Sequence, residues 1–291
     1  MPDRRPPARA ARLILGDERV SANPKLNNCL RGWRSAAHDW VVLADSNVAM
    51  PPDYLQRLQA AWRGGTGLVC STPVGARPDG LMAEVECAFL NTLQARWQYA
   101  AEAFGLGFAQ GKSMLWHKAF LDQRGGLQAL ATEIAEDAAA TKLVRAAGRR
   151  VHLVASPFEQ PLGRRGFAEV WARQLRWARL RRVTFPLFFA PEIGSGVLLP
   201  ALLVAVWAGS LAGIAGAAGL VALCYGAEYR LAARAGWHRS PRMLAAFLVR
   251  DALIPAIWLG AWVQSAIVWR GNAMDVRPRR AAVDRPYAPT A

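Results

Sequence analysis

Apolar residues fall in short blocks through the first two-thirds of the chain and merge into long uninterrupted runs in the last third. Residues 12–15 (Arg-Leu-Ile-Leu) form a first short block, ended by the turn signal Gly16-Asp17, and predict a strand. Pro24 suits a first helical position, so 25–34 predicts a short helix. Residues 40–44 are continuously apolar between polar flanks, the pattern of a central strand buried on both faces. Pro51-Pro52-Asp53 opens a helix running to about Arg63, and 67–71 is a second buried strand. Val85, Phe89, Leu93 and Trp97 recur every fourth residue, which predicts one continuous helix over 84–103. A strand at 110–116, a short helix at 118–124, a helix at 137–147 closed by Gly148, a strand at 151–154 and a helix at 167–182 complete the region. Strands alternating with helices predict an α/β sheet.

The last third obeys a different rule. No charged residue occurs between 193 and 227. As a single helix that run would be roughly 50 Å long, against a hydrocarbon core of about 30 Å. Two short spans joined near 209–216 fit better than one strongly tilted helix. Residues 252–269 form another uncharged run of about one span. The intervening segment, 228–251, carries Arg230, Arg234, Arg239, Arg242 and Arg250, and the tail carries Arg270, Arg277, Arg279 and Arg280. Basic loops stay cytoplasmic, yet a single span between these two segments places them on opposite sides. The expected division is a domain over 1–186 and a membrane region over 187–291 with two or three helices. Residues 1–20 contain no apolar stretch long enough for a signal peptide.

Charge narrows the partners. The net charge of +15 over 291 residues, nearly all from arginine, suits nucleic acid, anionic lipid headgroups or a phosphate-bearing substrate. No zinc-ligand spacing, basic zipper or RNP-like strand accompanies it, so nucleic acid is not expected as a partner. Cys29, Cys70, Cys87 and Cys224 lack C-x-x-C spacing and read as packed free thiols. The four histidines show no ligand spacing, and Gly105-x-Gly107 lacks the strand and helix of a dinucleotide fingerprint.

Three features carry candidate chemistry. Asp45 ends the apolar run 40–44 and opens Asp45-Ser46-Asn47, at the carboxyl end of a strand, where open α/β sheets place ligands; it could equally cap the turn that follows. Glu136-Asp137 precedes a helix, where an aspartate serves as an N-cap. Gln174-Leu175-Arg176-Trp177 lies in a helix rich in Arg and Trp, whose basic face could rest on anionic headgroups. An aspartate at a strand end, a later aspartate, Q-x-x-R-W and then membrane helices, in that order, resemble the membrane-bound family 2-like glycosyltransferases. Within them the ceramide glucosyltransferase group (family 21) is the nearest match. Asn23-Pro24-Lys25-Leu26-Asn27-Asn28 resembles that group's N-P-K-x-N-N element, and Gly126 followed by Ala135-Glu136-Asp137 resembles its G-G…A-E-D stretch.

The resemblance implies a GT-A-like nucleotide-sugar-binding domain followed by C-terminal transmembrane helices. It implies inverting transfer of glucose from UDP-glucose to the hydroxyl of a ceramide-like membrane lipid, with Mg²⁺ or Mn²⁺ on the diphosphate. Asp137 would be the general base, Asp45 the metal and donor ligand, and Lys25 and Asn28 would order the donor side. Gln174, Arg176 and Trp177 would complete the catalytic site, the guanidinium offsetting diphosphate charge and the indole walling the acceptor. The expected place is the cell membrane, which is the inner membrane if the source is a Gram-negative bacterium, with the catalytic part cytoplasmic. Members of that group begin with a membrane helix, a first strand and an early aspartate, none of which is legible here, so the GT-A-like domain is expected to be incomplete at its N-terminus with one sheet edge exposed. Two other readings stand beside this one: transfer to another lipid such as a hopanoid or diacylglycerol, and an inactive membrane partner protein.

Overall fold

The computed structural model describes residues 12–16, 18–264, 266–269 and 272–275. Helix α1 (Pro24–Arg34) opens with Pro24 in its first turn and Asn23 as cap, the Asn23 side chain accepting the amide of Lys25 at 2.8 Å. Strand β1 (Trp40–Ala44), helix α2 (Tyr54–Ala60), strand β2 (Thr66–Cys70) and strand β3 (Val74–Asp79) follow. Helix α3 (Leu81–Ala88), a π-helical segment Phe89–Ala95 and helix α4 (Arg96–Ala103) come next, then strand β4 (Ser113–His117) and helix α5 (Lys118–Asp122). A 3₁₀ segment Gly126–Thr132, helix α6 (Glu136–Ala146), strand β5 (Arg150–Leu153), strand β6 (Glu159–Arg164) and helix α7 (Phe167–Thr184) end the α/β part.

The main sheet has the order β1-β4-β2-β5, with β4 antiparallel to both neighbours and β2 parallel to β5. Leu43, Leu68, Cys70, Met114, Trp116, Val151 and Leu153 project into a core closed by α1, α6 and the Gly126–Thr132 segment. A two-stranded parallel pair, β3 with β6, lies beside it.

The alternation of strands and helices is as the hydrophobic pattern predicts, but four local expectations change. β1 is an edge strand, not a central one, and Trp40 is partly exposed. Residues 12–15 are extended but not a strand, and Leu13 and Leu15 are exposed; among the described residues no strand pairs with them. The expected helix over 84–103 is interrupted by the π-helical Phe89–Ala95, whose extra residue per turn shifts the buried face. Helix α6 starts at Glu136 with Ala135 as its cap, so Asp137 lies inside the first turn.

Helix α8 (Pro186–Phe189) and a 3₁₀ turn Ala190–Gly194 lead into helix α9 (Leu198–Ala208), bent by 57° from that pair. Helix α10 (Leu211–Arg234) and helix α11 (Met243–Val263) are both long and apolar enough to cross a membrane. The break falls at Gly209, which is left-handed, and Ser210, whose hydroxyl accepts the Gly213 amide. α10 then runs on past Glu228 and Arg230, so the charge-free run does not mark the helix end. α11 begins at Met243, ahead of the expected 252, and ends at Val263; strand β7 (Ala266–Trp269) pairs with strand β8 (Asn272–Asp275) beyond it. Asp17, residues 1–11 and the basic tail at Arg270, Arg277, Arg279 and Arg280 lie outside the described residues.

The apolar helices dock on the α/β part through a buried polar knot. Arg250, fully buried, donates to Glu228 Oε2 at 2.6 Å, Thr92 Oγ1 at 2.9 Å and Asp251 Oδ1 at 2.8 Å. Arg96 reaches the other Glu228 oxygen at 3.1 Å. Thr92 belongs to the π-helical segment, so helix irregularity, the two long apolar helices and charge pairing meet at one place.

Candidate active site

The register of β1 with β4 places Ala44 opposite Ser113. One residue further along, the Asp45 amide donates to the carbonyl of Lys112 at 3.0 Å, so Asp45 sits across from Lys112 at the open end of this pair. Its carboxylate is gripped from two sides: Lys25 Nζ lies 2.9 Å from Oδ1 and Lys112 Nζ 2.8 Å from Oδ2. Burial alone would raise this carboxyl, but the two ammonium groups outweigh it and hold Asp45 below its ordinary range.

Lys25 joins Asp45 to the acidic pair on α6. Its ammonium is 2.8 Å from Glu136 Oε1 and also donates to the Gly111 carbonyl. Burial, which lowers an ammonium, is overcome by Glu136 and Asp45, so Lys25 stays charged well above its ordinary value. Glu136 is buried and held on its other oxygen by Asn23 Nδ2 at 2.7 Å. Asp137 accepts the Gly111 amide at 3.1 Å and the Ala138 amide at 2.8 Å. Desolvation, reinforced by Glu136 and opposed by Lys25 and these two amides, pushes its carboxyl up to about 7. A carboxylate poised there can take a proton near neutral pH.

The Q-x-x-R-W residues form a second group on α7. Gln174 is buried and accepts from Gln94 Nε2 at 3.0 Å, tying α7 to the π-helical segment. Trp177 packs against Cys87, Leu90 and Leu162. Arg176 is half-buried; burial and the like charge of Arg173 lower its pKa, and Glu86 opposes them. Glu86 is fully buried, 2.5 Å from Arg173 and 3.8 Å from Arg165. Burial raises its carboxyl against the pull of Arg173. Arg173 also acts on the first cluster by like charge, which opposes the pull of Asp45 on Lys112.

Of the residues singled out in the sequence, Lys25, Asp45 and Asp137 therefore share one cluster, and Gln174, Arg176 and Trp177 lie together on the adjoining helix. Asn28 is exposed on α1, and its side chain makes no hydrogen bond among the described residues. Its neighbour Asn27 is buried and accepts the amides of Val20 and Ser21, both at 3.0 Å, which folds the approach to α1. Lys112, Arg173 and Glu86 escaped the sequence pattern. Lys112 is visible only through the β1–β4 register, and Glu86 looks like one acid on an ordinary helix.

The chemistry of the donor set admits a cation. Asp45 Oδ2 and Asn47 Oδ1 converge on one nitrogen, Lys112 Nζ, at 2.8 and 3.0 Å. Two such oxygens suit Mg²⁺ or Mn²⁺ when a diphosphate and water supply the remaining ligands. Among the described residues no group of three or more His, Cys, Asp or Glu could hold a metal by itself.

Comparison with known proteins gives this cluster its context. The chain is 26% identical to ceramide glucosyltransferase 1 of Caenorhabditis elegans over 184 residues, covering 62% of this chain and 40% of that protein. It is 24% identical to ceramide glucosyltransferase 3 of the same organism over 275 residues, covering 91% of this chain and 60% of that protein. It thus spans about half the length of the curated relatives it matches. The family described as glycosyl transferase family 21 matches residues 4–282, nearly the whole chain and every element of the site, and to that family this chain belongs.

Proposed function

We propose that this chain transfers glucose from UDP-glucose to the primary hydroxyl of a ceramide-like membrane lipid, with inversion at the sugar. The observation that carries the reading is the pairing of a base-competent carboxyl, Asp137 at about 7, with a cationic set built on Asp45. Asp137 removes the proton from the acceptor hydroxyl as its oxygen attacks the anomeric carbon from the face opposite the diphosphate. Lys25, Lys112 and Arg173 line the side where charge builds on the leaving diphosphate, and Arg176 adds to that field. Asp45 and Asn47 would hold Mg²⁺ or Mn²⁺, which supplies Lewis-acid stabilisation of the diphosphate when bound. Gln174 and Trp177 set α7 against the π-helical segment, and the indole bounds the acceptor side.

A lipid acceptor is supported by α10 and α11, which are long and apolar enough to cross a membrane. Arg230, Arg234, Arg239 and Arg242 at the turn between them favour a cytoplasmic catalytic face. The names of the relatives favour ceramide among lipids. The test is turnover of UDP-glucose by detergent-solubilised protein against ceramide, diacylglycerol and hopanoid acceptors, with Mn²⁺ or Mg²⁺. Glucosylceramide formation that disappears in Asp137→Asn and loses metal dependence in Asp45→Ala is expected. Transfer to another lipid only would move the acceptor assignment, and no transfer with UDP-glucose retained would leave a binding protein.

A further inference from the structure

Lys112 occupies the point on which two oxygens of the Asp45-Ser46-Asn47 turn converge. Its backbone is fixed across from Asp45 by the Asp45 amide, 3.0 Å from the Lys112 carbonyl. Its ammonium sits 2.8 Å from Asp45 Oδ2 and 3.0 Å from Asn47 Oδ1. Oxygen donors separated by one residue, converging on a single positive centre, form the arrangement a hard cation requires. The two lysines of the site are not equivalent. Lys25 is anchored by Asp45, Glu136 and the Gly111 carbonyl, and its departure would strand a buried Glu136. Lys112 has only Asp45 and Asn47 as partners among the described residues, Asn47 is exposed, and Asp45 would keep Lys25 if Lys112 left. The like charges of Arg173 and Lys25 press on Lys112 in addition.

We propose that Lys112 is the resident cation of the Asp45-Ser46-Asn47 turn, an ammonium that keeps these oxygens neutralised and aligned and gives up its place when a metal-bound diphosphate arrives. The proposal rests on reading the site as one for a sugar-nucleotide diphosphate. A divalent ion alone must then expel a paired ammonium and binds weakly. An ion carried on a diphosphate brings negative charge to which the displaced Lys112 can turn. Metal and donor therefore enter together, and Lys112 determines that coupling as a positioning residue.

The experiment is a Mn²⁺ titration of the full chain in detergent, without nucleotide, followed through the electron paramagnetic resonance signal of free Mn²⁺. Lys112→Met is compared with the unsubstituted protein. Removing one like charge at contact distance from the ion should tighten Mn²⁺ binding roughly tenfold or more. Lys112→Gln, which can still donate to Asp45, carries the same test if Lys112→Met does not fold. Unchanged, weaker or undetectable Mn²⁺ binding in a folded variant overturns the proposal. A parallel measurement of UDP retention in the presence of Mn²⁺ separates the two readings: tighter Mn²⁺ binding in Lys112→Met without any UDP binding to the unsubstituted protein would keep the cation assignment and remove the donor assignment.

Discussion

The backbone amide of Gly111 donates to Asp137 Oδ2 at 3.1 Å, and this contact fixes the carboxylate proposed as the base. A β-carbon added to Gly111 would lie 2.6 Å from Glu136 Oε1 and 3.2 Å from Lys25 Nζ. Only a residue without one lets the loop before β4 come this near to the acidic pair. Gly111→Ala should therefore displace Glu136, Lys25 and Asp137 together. Misplacement of a reacting group by about 1 Å can lower turnover roughly 10²-fold. Glucosyl transfer assays are expected to show a loss of that order in kcat, with a thermal midpoint near that of the unsubstituted protein.

Asp137→Asn should abolish transfer and leave UDP retention intact. The asparagine keeps one oxygen, enough for only one of the Gly111 and Ala138 amides that the two carboxylate oxygens accept, and it cannot accept the acceptor's proton, a role worth about 10²–10⁴-fold. The pH profile follows from the raised carboxyl of Asp137, at about 7. Transfer needs the ionised form, so the rate should be full above that pH and fall as pH drops through it. A rate independent of pH between 5 and 8 would return Asp137 to a structural role in the first turn of α6.

Glu136→Gln should move that acid limb to lower pH. Glu136 raises Asp137 by like charge, and its removal makes Asp137 easier to ionise. The same substitution takes one carboxylate from Lys25, so the donor KM is expected to change as well. A pH–rate series on the variant checks both. The two acids are adjacent on a helix and point about 100° apart, so they should not replace each other.

Arg250→Ala should destabilise the junction between α10, α11 and the π-helical segment. Asp251 would remain buried without its guanidinium partner, and Glu228 would keep only Arg96. Breaking a buried pair in this way costs about 3–5 kcal/mol. Thermal unfolding in detergent, compared with Arg230→Ala on the surface of α10, measures the difference.

The full chain should remain in the membrane pellet after a carbonate wash, while a fragment of residues 1–186 should not. Among the described residues only α10 and α11, with the bent α8–α9 pair, carry runs long and apolar enough to span. Equal partitioning of the two would show that the anchor lies in the α/β part.

Several features were legible along the chain because they depend on near neighbours. Pro24 and Asn23 mark the start of α1 by local hydrogen bonding, the blocks at 40–44 and 67–71 mark β1 and β2 by composition, and the last third announces its helices by lacking charge. The order Asp45, Asp137, Gln174-x-x-Arg176-Trp177 and then apolar helices was sufficient to identify the family. The tertiary structure decided the rest. It made β1 an edge strand, placed the π-helical turn inside an apparently regular helix, and moved Asp137 from cap to first turn. Above all it chose the partners of each charge. Lys25 meets Glu136, Lys112 meets Asp45 and Arg173 meets Glu86 across intervals of chain that no periodicity spans, because strand register and helix docking set those distances, and the pKa of Asp137 follows from burial that exists only once the chain has closed around it.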